Sequence, residues 1–432
     1  MAIPLFSYLR IVLYAMGLAC APMVHAQVGE NLEVDQTDTD LVSVLLAPSV
    51  WEGAQEVPGK WVTISNQGDK KTCELKSMGR FFGARPQQVL AYYQADKLVR
   101  MDVTYLETGN VFGYRKSRED AYVRDKLSEK EVREMKDKED LEAAGRKQEF
   151  EKLFGDLEKS IPMALEAFCG APGKKVSIGR DRMLKVRATE FVSPSLRFRF
   201  SAEEDQLILL AIIPAEVTGN KLVTQTGSDR RRDIKAGPEK LPNGDVVIRN
   251  IPMVNQGSRG YCAMGTLAMI MQYYSVNVNI DQLAAAAGYQ EGSVEHASIV
   301  PIYESAAKEG KLKLQVVTPP LKARQLIKEV DRGQPVLIWR YFSRERDEVH
   351  SDFAETFATD PSAVLPDPKK DKEEEERWAG RSNGGHASIV TGYNRERGEI
   401  LFTESWGENK RNRRMRVEEM EHSGYLYFLF EP

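Results

Sequence analysis

Apolar residues recur along the chain in two rhythms, and the change between them divides the sequence. From about residue 46 to 216, the runs "KWVTI", "LVRMDVTYLE", "LRFRF" and "LILLAIIPA" are rich in Val, Ile, Tyr and Phe and partly alternate, which predicts strands. Between them "RPQQVLAYYQAD" (85–96) reads as a helix entered through Pro86. Residues 117–168 are dominated by charge. Ser128 with Glu131 marks a capping-box start, and apolar residues become frequent only in "FEKLFGDLEKSIPMALEAF", so a long solvated helix or helical hairpin is expected. The polar, Gly- and Pro-punctuated stretch "SDRRRDIKAGPEKLPNGD" (228–245) then reads as a linker.

Beyond it the pattern changes. "VVIRNIPMV" opens like a strand, the apolar run after Cys262 and "NIDQLAAAAGY" read as helices, and Asn279 with Gln282 forms the capping pair of the second. "KARQLIKEVDRG" predicts another helix and "QPVLIWRYF" a buried strand. "HASIVTGYN" and "EILFTESW" form a hairpin turned by "NRERG". Helices followed by a run of strands predict an α+β domain over 246–432, with a helix packed on an antiparallel sheet. It is preceded by a separate α+β region at 46–227 and a loose acidic leader at 27–45. Residues 343–381 carry far more Asp and Glu than Lys and Arg and read as a mobile surface insertion.

Composition is that of a globular protein, 42% hydrophobic and 29% charged with a net charge of −4. This balance gives no electrostatic case for nucleic acid, and no nucleic-acid-binding motif is present. At the N-terminus Arg10 precedes the apolar run "IVLYAMGLACAPMV", and "VHA" stands before Gln27, the pattern of a cleaved export signal over residues 1–26. No later segment reaches the ~20 apolar residues that a membrane span needs. The protein is therefore expected outside the cytoplasm, in the periplasm or beyond. Cys73, Cys169 and Cys262 follow the cleavage point. In an oxidising compartment an odd count implies one disulfide and one free thiol, and the shared N-terminal region makes Cys73 and Cys169 the pair. Three buried, unlinked thiols are the alternative.

Cys262 stands in "IPMVNQGSRGYCAMGTLAMIMQYY", at the start of a strongly apolar helix. A thiol attacks as thiolate, and a helix N-terminus with an imidazolium nearby lowers a Cys pKa from ~8.5 towards 3.5–7.5. Four histidines follow the cleavage point. His386 comes after Gly384 and Gly385 and opens an apolar strand; His350 lies in the charged insertion, and His296 and His422 beside glutamates read as surface residues. Glu404, in "TESWG" on the partner strand, is placed to fix the tautomer of His386 and stabilise its imidazolium. The basic run "NKRNRRMR" (409–416) reads as a solvated hairpin. No Gly-rich phosphate loop and no zinc motif occurs, so neither cofactor nor metal is expected.

"QGSRGYCAM", "NGGHASIVTGYN" and "ESWGE" resemble, in order, the nucleophile, catalytic-histidine and Asn-Ser-Trp-Gly segments of the papain-like cysteine peptidases. The wording around Cys262 is also similar to the bacteriocin-processing branch, which uses an acidic third member. The resemblance covers about residues 246–432. It implies Cys262 as nucleophile, His386 as general base and acid, and Glu404 as the residue that orients His386. It also implies Gln256 as a side-chain donor to the oxyanion, with the Cys262 backbone N–H as the other donor, and Trp406 as a shield against water. Glu404 departs from the usual Asn, Ala263 from the usual aromatic residue, and Arg259 from a disulfide cysteine. The substrate implied is a peptide or protein, cleaved through a thioester acyl-enzyme. A Cys-His-Glu cell-wall amidase or a transpeptidase would share the catalytic machinery, with Gln256 and "SWG" standing against the amidase, and a catalytically degenerate papain-like binding module is the non-enzyme alternative. The resemblance further suggests that the N-terminal region restrains or targets the catalytic domain.

Overall fold

The computed structural model describes residues 35–53, 57–112, 128–289, 299–318, 322–371 and 373–432. The predicted export segment, the beginning of the leader and His296 lie outside these residues.

The strands of the N-terminal region, in chain order, are β1 (Asp35–Asp40), β2 (Trp61–Gln67), β3 (Lys70–Leu75), β4 (Ser77–Arg80), β5 (Gln88–Gln94) and β6 (Lys97–Glu107). After a long helix, Glu129–Cys169, come β7 (Lys174–Ile178), β8 (Val186–Val192), β9 (Leu196–Glu203) and β10 (Leu207–Pro214). Eight of them form an antiparallel sheet in the order β2-β3-β5-β6-β10-β9-β8-β7, while β1 pairs with β4 in a small parallel ladder. From Asp35 onward the predicted loose leader is therefore ordered, and Leu41 and Leu45 are buried. The "RPQQVLAYYQAD" stretch is strand β5, not a helix. Val89 and Ala91 enter the core of the N-terminal region while β3 and β6 take up the strand's backbone, so ladder pairing overrides the helix signal of Pro86.

The long helix starts at the predicted Ser128–Glu131 capping box and ends at Gly170, whose φ of 68° is the left-handed conformation glycine tolerates. Phe150, Phe154, Leu157, Ile161 and Leu165 form a helical stripe against one face of the sheet. The helix lies against β8, β9 and β10. That placement rules out the predicted Cys73–Cys169 disulfide. Cys73 is on β3, three strands from β10, or about 14 Å at ~4.8 Å per strand, whereas a bridge needs Cα atoms within ~7 Å. None of Cys73, Cys169 and Cys262 is in a disulfide.

The C-terminal strands are β11 (Pro238–Lys240), β12 (Val246–Ile248), β13 (Lys313–Val317), β14 (Val336–Phe342), β15 (Gly384–Asn394), β16 (Glu399–Thr403), β17 (Arg413–Arg416) and β18 (Gly424–Glu431). The sheet order is β11-β12-β15-β14-β18-β13, with β16 pairing β15 and β17. The helix Cys262–Tyr273 lies across β14 and β15, and every residue from Cys262 to Met271 is buried. The helices Ile280–Ala287 and Ala323–Asp331 and the β15–β16 hairpin match the sequence pattern. The molecule is α+β in both parts.

Two stretches expected to be solvated instead form helices or strands that turn some of their residues inward. In the predicted linker the helix Gly227–Lys235 buries Arg230 and Ile234, and β11 joins the C-terminal sheet. In the charged 343–381 stretch, the helix Arg344–Thr359 turns Arg346, Asp347, His350 and Phe353 inward. Arg346 binds Glu419 through two nitrogens at 2.9 and 2.8 Å, and His350 Nε2 lies 3.0 Å from the same carboxylate. Burial would raise the Glu419 pKa, but His350 and Arg346 hold it down to about 2. Of the charges that suggested a mobile loop, Arg346, Asp347 and Glu374 are buried and paired.

Candidate active site

Cys262 is the first residue of its helix, and the preceding Tyr261 provides no side-chain cap. The helix packs closely against the 404–406 segment. A Cβ on Gly265 would stand 2.7 Å from the Ser405 Cβ, so the approach requires glycine. Gln256 joins the same two segments. Its backbone N–H donates to the Ser405 carbonyl at 2.8 Å, the Ser405 hydroxyl donates to its side-chain oxygen at 2.6 Å, and its amide nitrogen donates to the Arg259 carbonyl at 2.6 Å.

His386 is the third residue of β15, paired in register with Arg340 on β14. Its Nε2 lies 2.6 Å from Glu404 Oε2, and its side chain is also hydrogen-bonded to Cys262. With Nε2 committed to Glu404, Nδ1 is the nitrogen that serves the thiol. The ring is flanked by Trp406 at 4.5 Å between centroids and Phe342 at 5.2 Å. Burial alone would lower the His386 pKa, but the Glu404 carboxylate and the Cys262 sulfur outweigh it and raise it to about 9.

Glu404 has no exposed surface. Arg340 Nη2 donates to its Oε1 at 2.7 Å and the Ser388 hydroxyl at 3.0 Å, while Arg413 Nη2 stands at 3.4 Å. Arg340 Nε also donates to Ser388 Oγ at 2.9 Å. Burial would raise the carboxyl pKa, yet His386, Arg340 and Arg413 hold it well below the ordinary carboxylate range. Arg413 Nη1 in turn donates to Asp347 Oδ1 at 2.7 Å, and its guanidinium covers the rings of Phe402 and Trp406.

The structure thus brings Cys262, His386, Glu404, Gln256 and Trp406 together. His350 lies apart, buried against Glu419, and His422 is exposed. The sequence reading missed Arg340, Ser388, Ser405 and Arg413. Arg413 and Arg414, read as part of a solvated run, are buried on β17. The signal for Arg340 was a lone cation in the otherwise apolar "QPVLIWRYF". Among the described residues no group of three or more His, Cys, Asp or Glu is placed to hold a metal ion. The arrangement sets a thiol, an imidazole hydrogen-bonded to it and a buried carboxylate on the imidazole's Nε2 in one continuous contact, a set that can carry nucleophilic chemistry.

Residues 248–428 match the model of the Peptidase_C39 like family. Among solved structures the chain is similar to a putative C39-like peptidase from Bacillus anthracis, at 16% identity over 44% of this chain and 98% of that one, with a TM-score of 0.29. It is also similar to the peptidase domain of Streptococcus ComA, described as a bi-functional ABC transporter involved in a quorum sensing pathway (15% identity, 42% and 99% of the two chains, TM-score 0.27). A third is xylellain, a cysteine protease from Xylella fastidiosa (13% identity, 49% and 91%, TM-score 0.26). No curated protein matches significantly. The family match supports a papain-like domain with cysteine-peptidase-like function over residues 248–428, and it does not extend to the N-terminal region.

Proposed function

We propose that this chain is an exported cysteine peptidase that cleaves peptide bonds through a thioester on Cys262. The observation that carries the reading is the continuous contact Cys262–His386–Glu404, with His386 raised to about 9. His386 takes the thiol proton, and the thiolate attacks the scissile carbonyl carbon. The carbonyl electrons pass to oxygen, where the Cys262 backbone N–H and the Gln256 amide are the candidate donors. On collapse the imidazolium gives its proton to the departing amine and the thioester remains. His386 then takes a proton from water, hydroxide equivalent attacks the thioester, and the acid product leaves with the thiol restored. Throughout, Glu404 holds the imidazole's Nε2–H and Trp406 covers that bond.

The test is turnover of an unfolded protein substrate by the intact chain, with Cys262 alkylation measured in parallel. Cys262→Ala is expected to abolish turnover with folding intact, and His386→Ala to suppress both turnover and rapid labelling. Wild-type turnover by Cys262→Ala would end the reading. Purified peptidoglycan and an added amine acceptor, used as further substrates, separate the peptidase from the amidase and the transpeptidase. The export claim rests on the sequence pattern before Gln27, and N-terminal sequencing of the fractionated protein tests it.

A further inference from the structure

The residues just before Cys262 are held by the N-terminal region as well as by their own domain. Glu107, the last residue of β6, is buried, and its carboxylate accepts from the backbone N–H groups of Gly109 at 3.0 Å and Asn110 at 2.9 Å. From the C-terminal domain the Tyr261 hydroxyl donates to Glu107 Oε1, and the Arg259 guanidinium stands 3.5 Å from Oε2. Every one of these partners is a donor, so the site requires an acceptor-only carboxylate. Arg259 also pairs with Asp281, and its Nε donates to the Gln256 carbonyl at 2.8 Å.

Packing supports the same contact independently. A Cβ on Gly109 would stand 2.6 Å from the Tyr261 hydroxyl oxygen and 3.0 Å from Arg259 Cδ, so the two parts meet with no room for a methyl group. Nearby, the Thr104 hydroxyl donates to Asp281 and Asn279 donates to Asp102, both at 3.0 Å. Tyr261 is the uncapped residue at the head of the Cys262 helix. Its side chain reaches into the N-terminal region instead of capping, which leaves the first helical N–H groups available to a substrate oxyanion. The direction of the first turn is therefore set by what Tyr261 and Arg259 grip.

We propose that Glu107 is a positioning residue for the active site, acting through Arg259 and Tyr261 on Cys262, so that the N-terminal region is a working part of the catalytic unit. This rests on the peptidase reading. It is the opposite of restraint: loosening the contact lowers activity.

The experiment uses the full chain with Glu107→Ala, Glu107→Gln and Tyr261→Phe, and with Asp102→Asn as control. Iodoacetamide alkylation of Cys262 is followed against pH, kcat and KM are measured on an unfolded protein substrate, and thermal unfolding is recorded alongside. Displacing a reacting group by ~1 Å can cost ~10²-fold. Glu107→Ala is therefore expected to lower kcat by about tenfold to a hundredfold with KM retained, and to move the alkylation midpoint upward. Simple removal of a negative charge would move that midpoint down, so the sign separates positioning from electrostatics. Asp102→Asn perturbs the same interface without touching residues 256–262 and should leave the alkylation profile in place. Should Glu107→Ala fail to fold, Tyr261→Phe gives the same directions with a smaller change. A wild-type alkylation profile and kcat in the folded variants, or a higher turnover, would overturn the proposal. If wild-type Cys262 itself alkylates no faster than an ordinary thiol at neutral pH, the peptidase reading falls first, and this inference with it.

Discussion

Replacing Glu404 with Gln removes one charge and keeps nearly the same shape. The motif alone predicts a partial loss, because an amide carbonyl can still accept the imidazole N–H. The structure raises that cost. Oε1 receives Arg340 at 2.7 Å and Ser388 at 3.0 Å, Oε2 meets His386 at 2.6 Å, and Arg413 is 3.4 Å away. An amide oriented to serve His386 points its NH₂ at a guanidinium. At an effective dielectric of about 20, the Arg340–Glu404 attraction at 2.7 Å is about 6 kcal/mol before desolvation is counted. Breaking a buried pair from one side typically costs about 3–5 kcal/mol of stability. For His386, a return from about 9 toward the ordinary ~6.5 removes about 3 kcal/mol of preference for the imidazolium, or ~300-fold in the imidazolium-to-imidazole ratio. Because the folded His386 pKa is raised, its contribution to stability is full below about pH 6.5 and is lost as pH rises through about 9. Glu404 is depressed, so its share is present above about 4.5 and is lost as pH falls toward its folded value. Wild-type stability should therefore decline between about pH 6.5 and 9, and Glu404→Gln should flatten that decline. The assay is kcat/KM against pH together with denaturant midpoints at pH 6 and 9.5. The alkaline limb should move from near 9 to below 7. A limb that stays near 9 in a folded Glu404→Gln protein would refute the reasoning.

Two further outcomes follow from the same geometry. Gln256→Ala should cut turnover by ~10²–10³-fold, as loss of an oxyanion donor does, while changing Cys262 alkylation little. It should also lower the unfolding temperature, because the side chain ties Ser405 to the Arg259 carbonyl. Arg413→Met removes a cation from Glu404 and leaves Asp347 without its partner. Both pH limbs of turnover should then move upward, the direction opposite to Glu404→Gln, as pH–rate profiles of the pair would register.

The thiol, the histidine and the acid were legible because each sits at an element boundary with its own local signature: a Cys before an apolar run, Gly-Gly-His at the head of a strand, Glu-Ser-Trp-Gly after one. The cations that make the acid tenable were not. Arg340 and Arg413 are placed by strand register, and register is a tertiary fact. Charge counts misled for the same reason. A surplus of Asp and Glu over 343–381 says nothing of whether Asp347 meets Arg413 or Glu419 meets Arg346, and buried pairs look identical to solvated ones in a composition. The helix reading failed at β5, where two inward positions and two flanking strands decided what propensity left open. The disulfide failed because a shared region says nothing of where Cys73 on β3 stands relative to Cys169 at the end of a helix that packs on β8, β9 and β10.

An acid at position 404 imposes a condition that an amide would not. A neutral side chain can be buried with hydrogen bonds alone, whereas a carboxylate without exposed surface needs compensating charge. Arg340 from β14 and Arg413 from β17 supply it, and Asp347, from the helix in the charged stretch, balances the second of them. With Cys262 and His386 neutral, this buried set holds two anions and two cations. With the proton moved from sulfur to imidazole it holds three of each. Transfer within the pair changes the dipole but not the net buried charge, so neither state carries the penalty of an unpaired ion. That is the condition under which a thiol and an imidazole in a dry site can exchange a proton at small cost. It explains why the helix Arg344–Thr359, remote in sequence from all three site residues, is folded against β17 instead of standing in solvent.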